Sequence, residues 1–142
     1  MEDFDQLPAS ARDLYEAAHV AMAQSYSPYS NYPVGAAIRT ASGRVFAGCN
    51  VENASYPLGT CAEAGAIAAM VLAGERQIVE VVTITEGERA GTPCGGCRQR
   101  LREFAALTTP VYATTAGGAV IGLTIEQLLP ESFGPEFLIH QS

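Results

Sequence analysis

The sequence predicts an α/β protein, a three-layer α/β/α sandwich around a mixed, roughly five-stranded sheet. Three observations carry this. Segments of helical and strand periodicity alternate in the order α-β-β-α-β-α-β-β-α, the pattern of helices layered on one sheet. Two early strands follow each other across a short turn, so the sheet contains an antiparallel pair and is not purely parallel. The chain has 142 residues, 48% of them hydrophobic, enough for one ordinary domain to bury its own core. No linker, repeat or composition break divides it, so residues 1–142 read as a single domain.

Each element has its own signal. Residues 10–25 read as a helix, because Leu14, Ala17, Ala18, Ala21 and Met22 form one apolar stripe. Ser10 is the expected cap, and Pro28 bars continuation. A polar loop over 27–33 leads to two strands, 34–39 and 44–49, joined through Ser42-Gly43. A second loop, 50–60, precedes an alanine-rich helix over 61–73 that stops near Gly74. The β-branched run 78–85 reads as a buried strand. After the loop 86–93, a helix is expected over 95–106, with Leu101, Phe104 and Ala105 facing inward. Strands 110–115 and 119–123 flank Gly117-Gly118, and a short helix over 124–129 has Thr124 as its cap and ends at Pro130.

Charge narrows the partners. The formal net charge is −7, and all eight basic residues are arginine. Three cluster at 98, 100 and 102, with no basic stripe elsewhere. Nucleic acid and acidic membrane surfaces are therefore poor expectations, and a small neutral molecule fits better. No apolar run is long enough to span a bilayer, and the acidic start "MEDFD" lacks the positive region of a secretory signal. The expected setting is the cytoplasm. There, four cysteines at 49, 61, 94 and 97 point to metal or redox chemistry more than to disulfides.

Cys61 falls at the predicted start of one helix, and Cys94 and Cys97 at the start of the next. Both helices follow loops at strand ends, which converge on one crevice in open α/β sheets. A helix N-terminus presents unpaired N–H groups and a positive dipole end, which favour thiolates. Zinc is the natural occupant of such a sulfur cluster. Three protein ligands would leave a position open for water, the pattern of a catalytic site, whereas a fourth would close it. Cys49, at a strand end, is the rival fourth ligand, although a strand cysteine is more often a buried small hydrophobe. His19 and His140 are not near the cysteines in sequence. Glu63 lies two residues after Cys61, and can share its site only if Cys61 sits at the cap, outside helical geometry. On its own Glu63 could simply complement the helix dipole; beside an open zinc position it becomes the general acid/base.

These blocks closely resemble the small cytidine deaminases. The match runs through "PYSNYPVGAAI" (28–38), "GCNVENASYP" (48–57), "CAE" (61–63), "PCGGCRQ" (93–99) and "LLPESF" (128–133), in the family's order. The resemblance implies hydrolysis of cytidine and deoxycytidine to uridine and deoxyuridine in pyrimidine salvage. It implies one zinc ion per subunit on Cys61, Cys94 and Cys97, with Glu63 protonating ring N3 and later the departing amine. By the same resemblance Asn50 and Glu52 bind the ribose hydroxyls, Tyr32 packs near the nucleoside, and the Ala62 backbone meets the pyrimidine edge. Small members resemble one another as homotetramers with shared active sites, which would make Phe133 a cover for a neighbour's base and put Tyr56 near the interface. The sequence departs from the family at Ala64, where three-cysteine members often carry arginine. Arg98, with the helix dipoles and Arg100, is then the expected charge compensation for three thiolates. The alternatives are a deaminase of a modified aminopyrimidine nucleoside such as blasticidin S, a non-catalytic zinc-binding module, a Cys-x-x-Cys redox protein and a nucleic-acid editing deaminase. The Asn50–Glu52 pair favours an unmodified nucleoside, and the net negative charge disfavours nucleic acid.

Overall fold

The structure, a computed structural model describing residues 2–3 and 6–139, has the expected sandwich. Met1, Phe4, Asp5, His140, Gln141 and Ser142 lie outside the described residues. The elements are β1 (Glu2–Asp3), α1 (Arg12–Met22), β2 (Val34–Thr40), β3 (Val45–Cys49), α2 (Ala62–Leu72), β4 (Ile78–Thr85), α3 (Gly95–Phe104), β5 (Pro110–Thr115), β6 (Ala119–Thr124) and α4 (Ile125–Leu128). The sheet order is β1-β6-β5-β4-β2-β3. The sheet has six strands, the five expected ones and the two-residue β1, which is absent from the sequence reading and pairs onto the outer edge of β6. Only β4 and β5 are parallel; β2–β3, β2–β4 and β5–β6 are antiparallel.

Strand alternation divides the core into two layers. Ala37, Val82 and Ile84 face α1 and join Leu14, Ala18 and Met22. Ile38 and Val81 face the other way and join Ala66, Met70 and Leu101 from α2 and α3. Leu14, Met70 and Leu101 are each completely buried, and each such side chain contributes roughly 1.5–3 kcal/mol relative to exposure. With a period of two along β4, Thr83 and Thr85 share the α2/α3 face with Val81.

Two boundaries differ from expectation for identifiable reasons. Helix α1 is shorter than residues 10–25, and a 3₁₀ turn over Ala9–Ala11 precedes it. Ser10 does not cap it, because its hydroxyl instead donates to Glu80 Oε2 at 3.1 Å. Glu80 also pairs with Arg39 at 3.3 Å, and Arg39 reaches Asp13 at 2.5 Å, so this end of α1 is tied to the sheet by ion pairs. At the other end Ser25 leaves the helix and its hydroxyl bonds Asn50 Oδ1. Helix α3 stops at Phe104, because Ala105 is extended (φ −130°, ψ 143°) and bridges to Ile78 of β4. The remaining elements fall within a residue or so of the sequence reading, including the Thr124 cap of α4, which forms a full capping box with Gln127.

The topology aims the helix tips at one place. Strands β3 and β4 both run antiparallel to β2, so their C-terminal ends, Cys49 and Thr85, lie at the same end of the sheet. From there the chain loops into α2 and α3. Helix α2 lies very close on β3: a Cβ on Gly48 would sit 2.5 Å from both the Ala62 carbonyl oxygen and the Ala66 nitrogen. Gly48 therefore lets the tip of α2 sit at this depth.

Candidate metal centre and pocket

Cys61 and Cys94 are the N-cap residues of α2 and α3, both with extended backbone (φ −80°, ψ 158° and φ −64°, ψ 167°). Cys97 is in the first turn of α3 and completely buried. The two caps and that turn bring the three sulfurs within 4.8 Å of one another, with Cys61 Sγ 4.0 Å from Cys94 Sγ. Tetrahedral zinc with sulfur at about 2.3 Å requires sulfurs roughly 3.8 Å apart. The donor set therefore fits such an ion, and could hold one after small adjustment. Cys49 is not part of this grouping among the described residues, and His19 lies on α1 beside Tyr15, with ring centroids 6.1 Å apart.

The thiols have unequal surroundings. The backbone N–H of Cys97, joined by the N–H of Gly96, pulls the Cys94 thiol below its ordinary value of 9.0, as expected at a helix tip. Burial pushes Cys61 and Cys97 up, and the nearby Glu63 carboxylate adds to the rise at both. Without a cation Cys61 and Cys97 keep their protons at neutral pH, and a bound divalent ion would displace them.

Glu63 is the second residue of α2, 4% exposed. The extended geometry of Cys61 is the condition under which residues two apart can meet. Burial raises the Glu63 carboxyl above its ordinary 4.5, partly opposed by its own backbone N–H, the Cys97 thiol and the charge of Arg100.

The cluster borders a cavity of about 360 Å³ through Cys61, Cys94 and Glu63. Tyr32, Asn50, Glu52, Tyr56, Cys61, Ala62, Glu63 and Cys94 all line it, so the fold gathers eight of the residues singled out in the sequence. The polar pair is rigidly held. Asn50 accepts from Val34 N–H at 2.9 Å and donates to the Tyr32 carbonyl at 2.9 Å. Glu52 accepts from the Tyr29 and Ser30 N–H groups at 3.0 and 3.1 Å, and from the Ser30 hydroxyl. That hydroxyl, first, and the two N–H groups hold the carboxyl below its ordinary 4.5, so it is an ionised acceptor at neutral pH.

Phe133 does not line this cavity. It is 54% exposed, stacked on Phe137 with centroids 5.1 Å apart, and its carbonyl accepts from Gln99 Nε2 at 2.8 Å. Nor does Arg98 point its guanidinium at the sulfurs. Its donors go to the Pro93 carbonyl (2.7 Å), the Leu128 carbonyl (2.7 Å) and the Thr92 hydroxyl (2.9 Å), bracing the loop before Cys94 against α4. Arg100 is the arginine whose nitrogen reaches a sulfur, Nη1 to Cys97 Sγ at 3.7 Å.

The sequence reading missed Thr83 and Thr85, which line the cavity from β4. They are 2% and 3% exposed, and neither hydroxyl has a protein partner. The signal was present, since Thr-Ile-Thr closes a mostly apolar strand with hydroxyls on alternate positions.

Thiols at two helix tips, a buried carboxylate beside them and a pocket lined by a hydrogen-bonded amide–carboxylate pair define a metal-dependent enzyme for a small polar molecule. The family described as "Cytidine and deoxycytidylate deaminase zinc-binding region" matches residues 8–114, and the chain belongs to that family. It is 39% identical to a cytidine deaminase of Sporosarcina psychrophila over 115 residues, covering 81% of this chain and 85% of that protein. With a cytidine deaminase of Mycobacterium tuberculosis it shares 36% identity over 118 residues, 80% and 82% of the two chains. The crystal structure of cytidine deaminase from Burkholderia pseudomallei superposes with a TM-score of 0.81 at 42% identity, over 85% of this chain and 97% of that one.

Proposed function

We propose that this chain is a zinc-dependent hydrolase converting cytidine and deoxycytidine to uridine and deoxyuridine, with release of ammonia. The observation that carries the reading is Glu63, buried beside three convergent thiols and lining the same cavity as Asn50 and Glu52. Cys61, Cys94 and Cys97 would hold the zinc. When bound, that ion supplies a Lewis acid that lowers the pKa of water toward about 7.

The protein's own groups do the rest. Glu63 takes a proton from the attacking water and delivers it to ring N3 as C4 becomes tetrahedral. It then carries the second proton to the departing amine, so both protons of the consumed water end on N3 and on ammonia. Burial, which raises this carboxyl, suits a group that must both accept and give a proton near neutrality. The Ala62 backbone borders the base, Asn50 and Glu52 bind the sugar hydroxyls, and Tyr32 packs against the nucleoside. The one chain is a single catalytic domain, acting in pyrimidine salvage in the cytoplasm. Its four cysteines are free, and no described helix is long and apolar enough to cross a membrane.

The functional unit is a homotetramer in which Phe133 covers the base in a neighbouring pocket and Tyr56, which lines its own chain's cavity, lies near the interface. Exposed apolar side chains support this: Tyr56 is 75% exposed, Leu58 67%, Phe137 60% and Leu138 70%. Light scattering on the purified protein gives the mass directly.

Loss of cytidine absorbance at neutral pH, with about one zinc per chain, tests the reaction. Glu63→Gln should keep its zinc while turnover falls about a hundredfold to ten-thousandfold. Retained turnover, or loss of zinc along with it, would rule out the assigned role. Comparing rates on cytidine and on blasticidin S separates the two nucleoside readings.

A further inference from the structure

We propose that Arg100, folded back across Gly96 onto Cys97, is the cation that balances the three-thiolate centre in this chain. The inference rests on the zinc reading above and concerns how this sequence makes such a centre workable. Three thiolates around a divalent ion leave a net charge of −1, and the Glu63 carboxylate, buried beside them, adds another when ionised. A negative centre is a weaker Lewis acid, and burying it without a counter-charge is costly. Position 64, next to Glu63, carries alanine and offers no charge.

The available cations divide clearly. Arg98 spends its donors on two carbonyls and a hydroxyl. Arg102 points to Ser132 and Glu136, and Arg39 to Asp13 and Glu80. Among the described residues, Arg100 is the arginine with a nitrogen against a ligand sulfur, at 3.7 Å. Sulfur is large and diffuse, and N–H···S bonds are correspondingly longer than N–H···O bonds. The residue it meets matters too. Cys97 is completely buried, so water cannot stabilise its thiolate and a donor from the protein must.

The geometry depends on the local sequence. Residues three apart on a helix lie on one face, which sets Arg100 over Cys97. To reach the sulfur the guanidinium lies along the helix tip, where a Cβ on Gly96 would be 3.1 Å from Arg100 Nη1. Gly96, inside the Cys-Gly-Gly-Cys turn, thus leaves room for the folded-back side chain.

The test measures metal binding, not turnover. Zinc affinity is read by competition with a chromophoric chelator, and thiolate-to-metal charge transfer in the cobalt-substituted protein. Arg100→Gln should weaken zinc about 10- to 100-fold and shift the charge-transfer band. Arg100→Lys should recover more than half of that loss, because it restores charge without the planar fork. Gly96→Ala, which leaves every ligand and Arg100 in place but crowds the guanidinium, should weaken zinc in the same direction by less. Arg100→Gln with wild-type affinity and spectrum would overturn the proposal. So would an Arg100→Lys protein as weak as Arg100→Gln, since guanidinium shape and not charge would then matter. Wild-type protein that takes up no zinc would instead overturn the underlying reading of the site, a result seen before any variant is compared.

Discussion

At the scale of single residues, the pocket separates groups that are already satisfied from groups that are not. Glu52 is held by three donors from Tyr29 and Ser30, so its ionised carboxylate is fixed before any sugar arrives. Glu52→Gln should lower kcat/KM for cytidine about tenfold to a hundredfold, the worth of a hydrogen bond to a charged group, with most of the change in KM. A change confined to kcat would place Glu52 in the chemistry instead. Thr83 is the opposite case, a buried hydroxyl with no protein partner. Valine has its shape without its polarity, so Thr83→Val should stabilise the fold by about 1 kcal/mol, read as a higher urea midpoint. A lower midpoint would mean the hydroxyl is satisfied by ordered water in the cavity. The arginines mark where sequence reading stops at this scale. Residues 98 and 100 sit about 200° apart around a helix, so spacing says they diverge but not which one faces the metal. Only the partners decide it: two carbonyls and a hydroxyl claim Arg98, and a sulfur meets Arg100.

At the scale of elements, what could be read in advance was whatever depends on local pattern. The β-branched run of β4 and the "PVYATT" run of β5 give strands with the expected bounds, because their neighbours demand the same conformation that their side chains prefer. The ends of α1 escaped because they are set by distant partners. Glu80, seventy positions away, takes the hydroxyl that would have capped the helix, and Asn50 takes Ser25 at the other end. The site was legible for a related reason. Its sulfurs sit at two caps and one first turn, and both are written in the sequence by where helices begin. What was not legible is depth, which is fixed by Gly48 under α2. In Gly48→Ala the new methyl would meet backbone atoms of Ala62 and Ala66 that cannot yield without moving the helix. The expected loss is about 1–3 kcal/mol of stability, together with weaker zinc binding as Cys61 shifts. Unchanged zinc affinity alongside the destabilisation would show that the α2 tip is held by the metal and not by the sheet.

At the scale of the whole molecule, the chain after α4 is bound back onto α3, and that arrangement sets how Phe133 faces outward. Arg98 holds the Leu128 carbonyl, Gln99 the Phe133 carbonyl, and the buried guanidinium of Arg102 pairs with Ser132 and, at 2.5 Å, with Glu136. One face of one helix therefore fixes the segment that carries the stacked Phe133–Phe137 pair. The Arg102 bond, first among the causes, pulls the Glu136 carboxyl below its ordinary value of 4.5. A carboxyl with a depressed folded pKa binds its proton less readily folded than unfolded. Its stabilising effect is thus fully present above 4.5 and is lost as pH falls through the lower, folded value. Between pH 7 and 5 the segment should stay docked. Once pH has fallen through that lower, folded value the carboxylate should be neutralised, leaving Arg102 buried without its counter-charge, and the segment should loosen before the sheet unfolds. Limited acid proteolysis should then cut first after residue 129, and light scattering should show the proposed assembly dissociating over the same range if Phe133 helps to hold it. Glu136→Gln should show the loosened segment already at pH 7 and little further change on acidification. Equal protection of variant and wild type across that range would mean that Ser132 and the backbone contacts from Arg98 and Gln99, not the ion pair, hold the C-terminal segment in place.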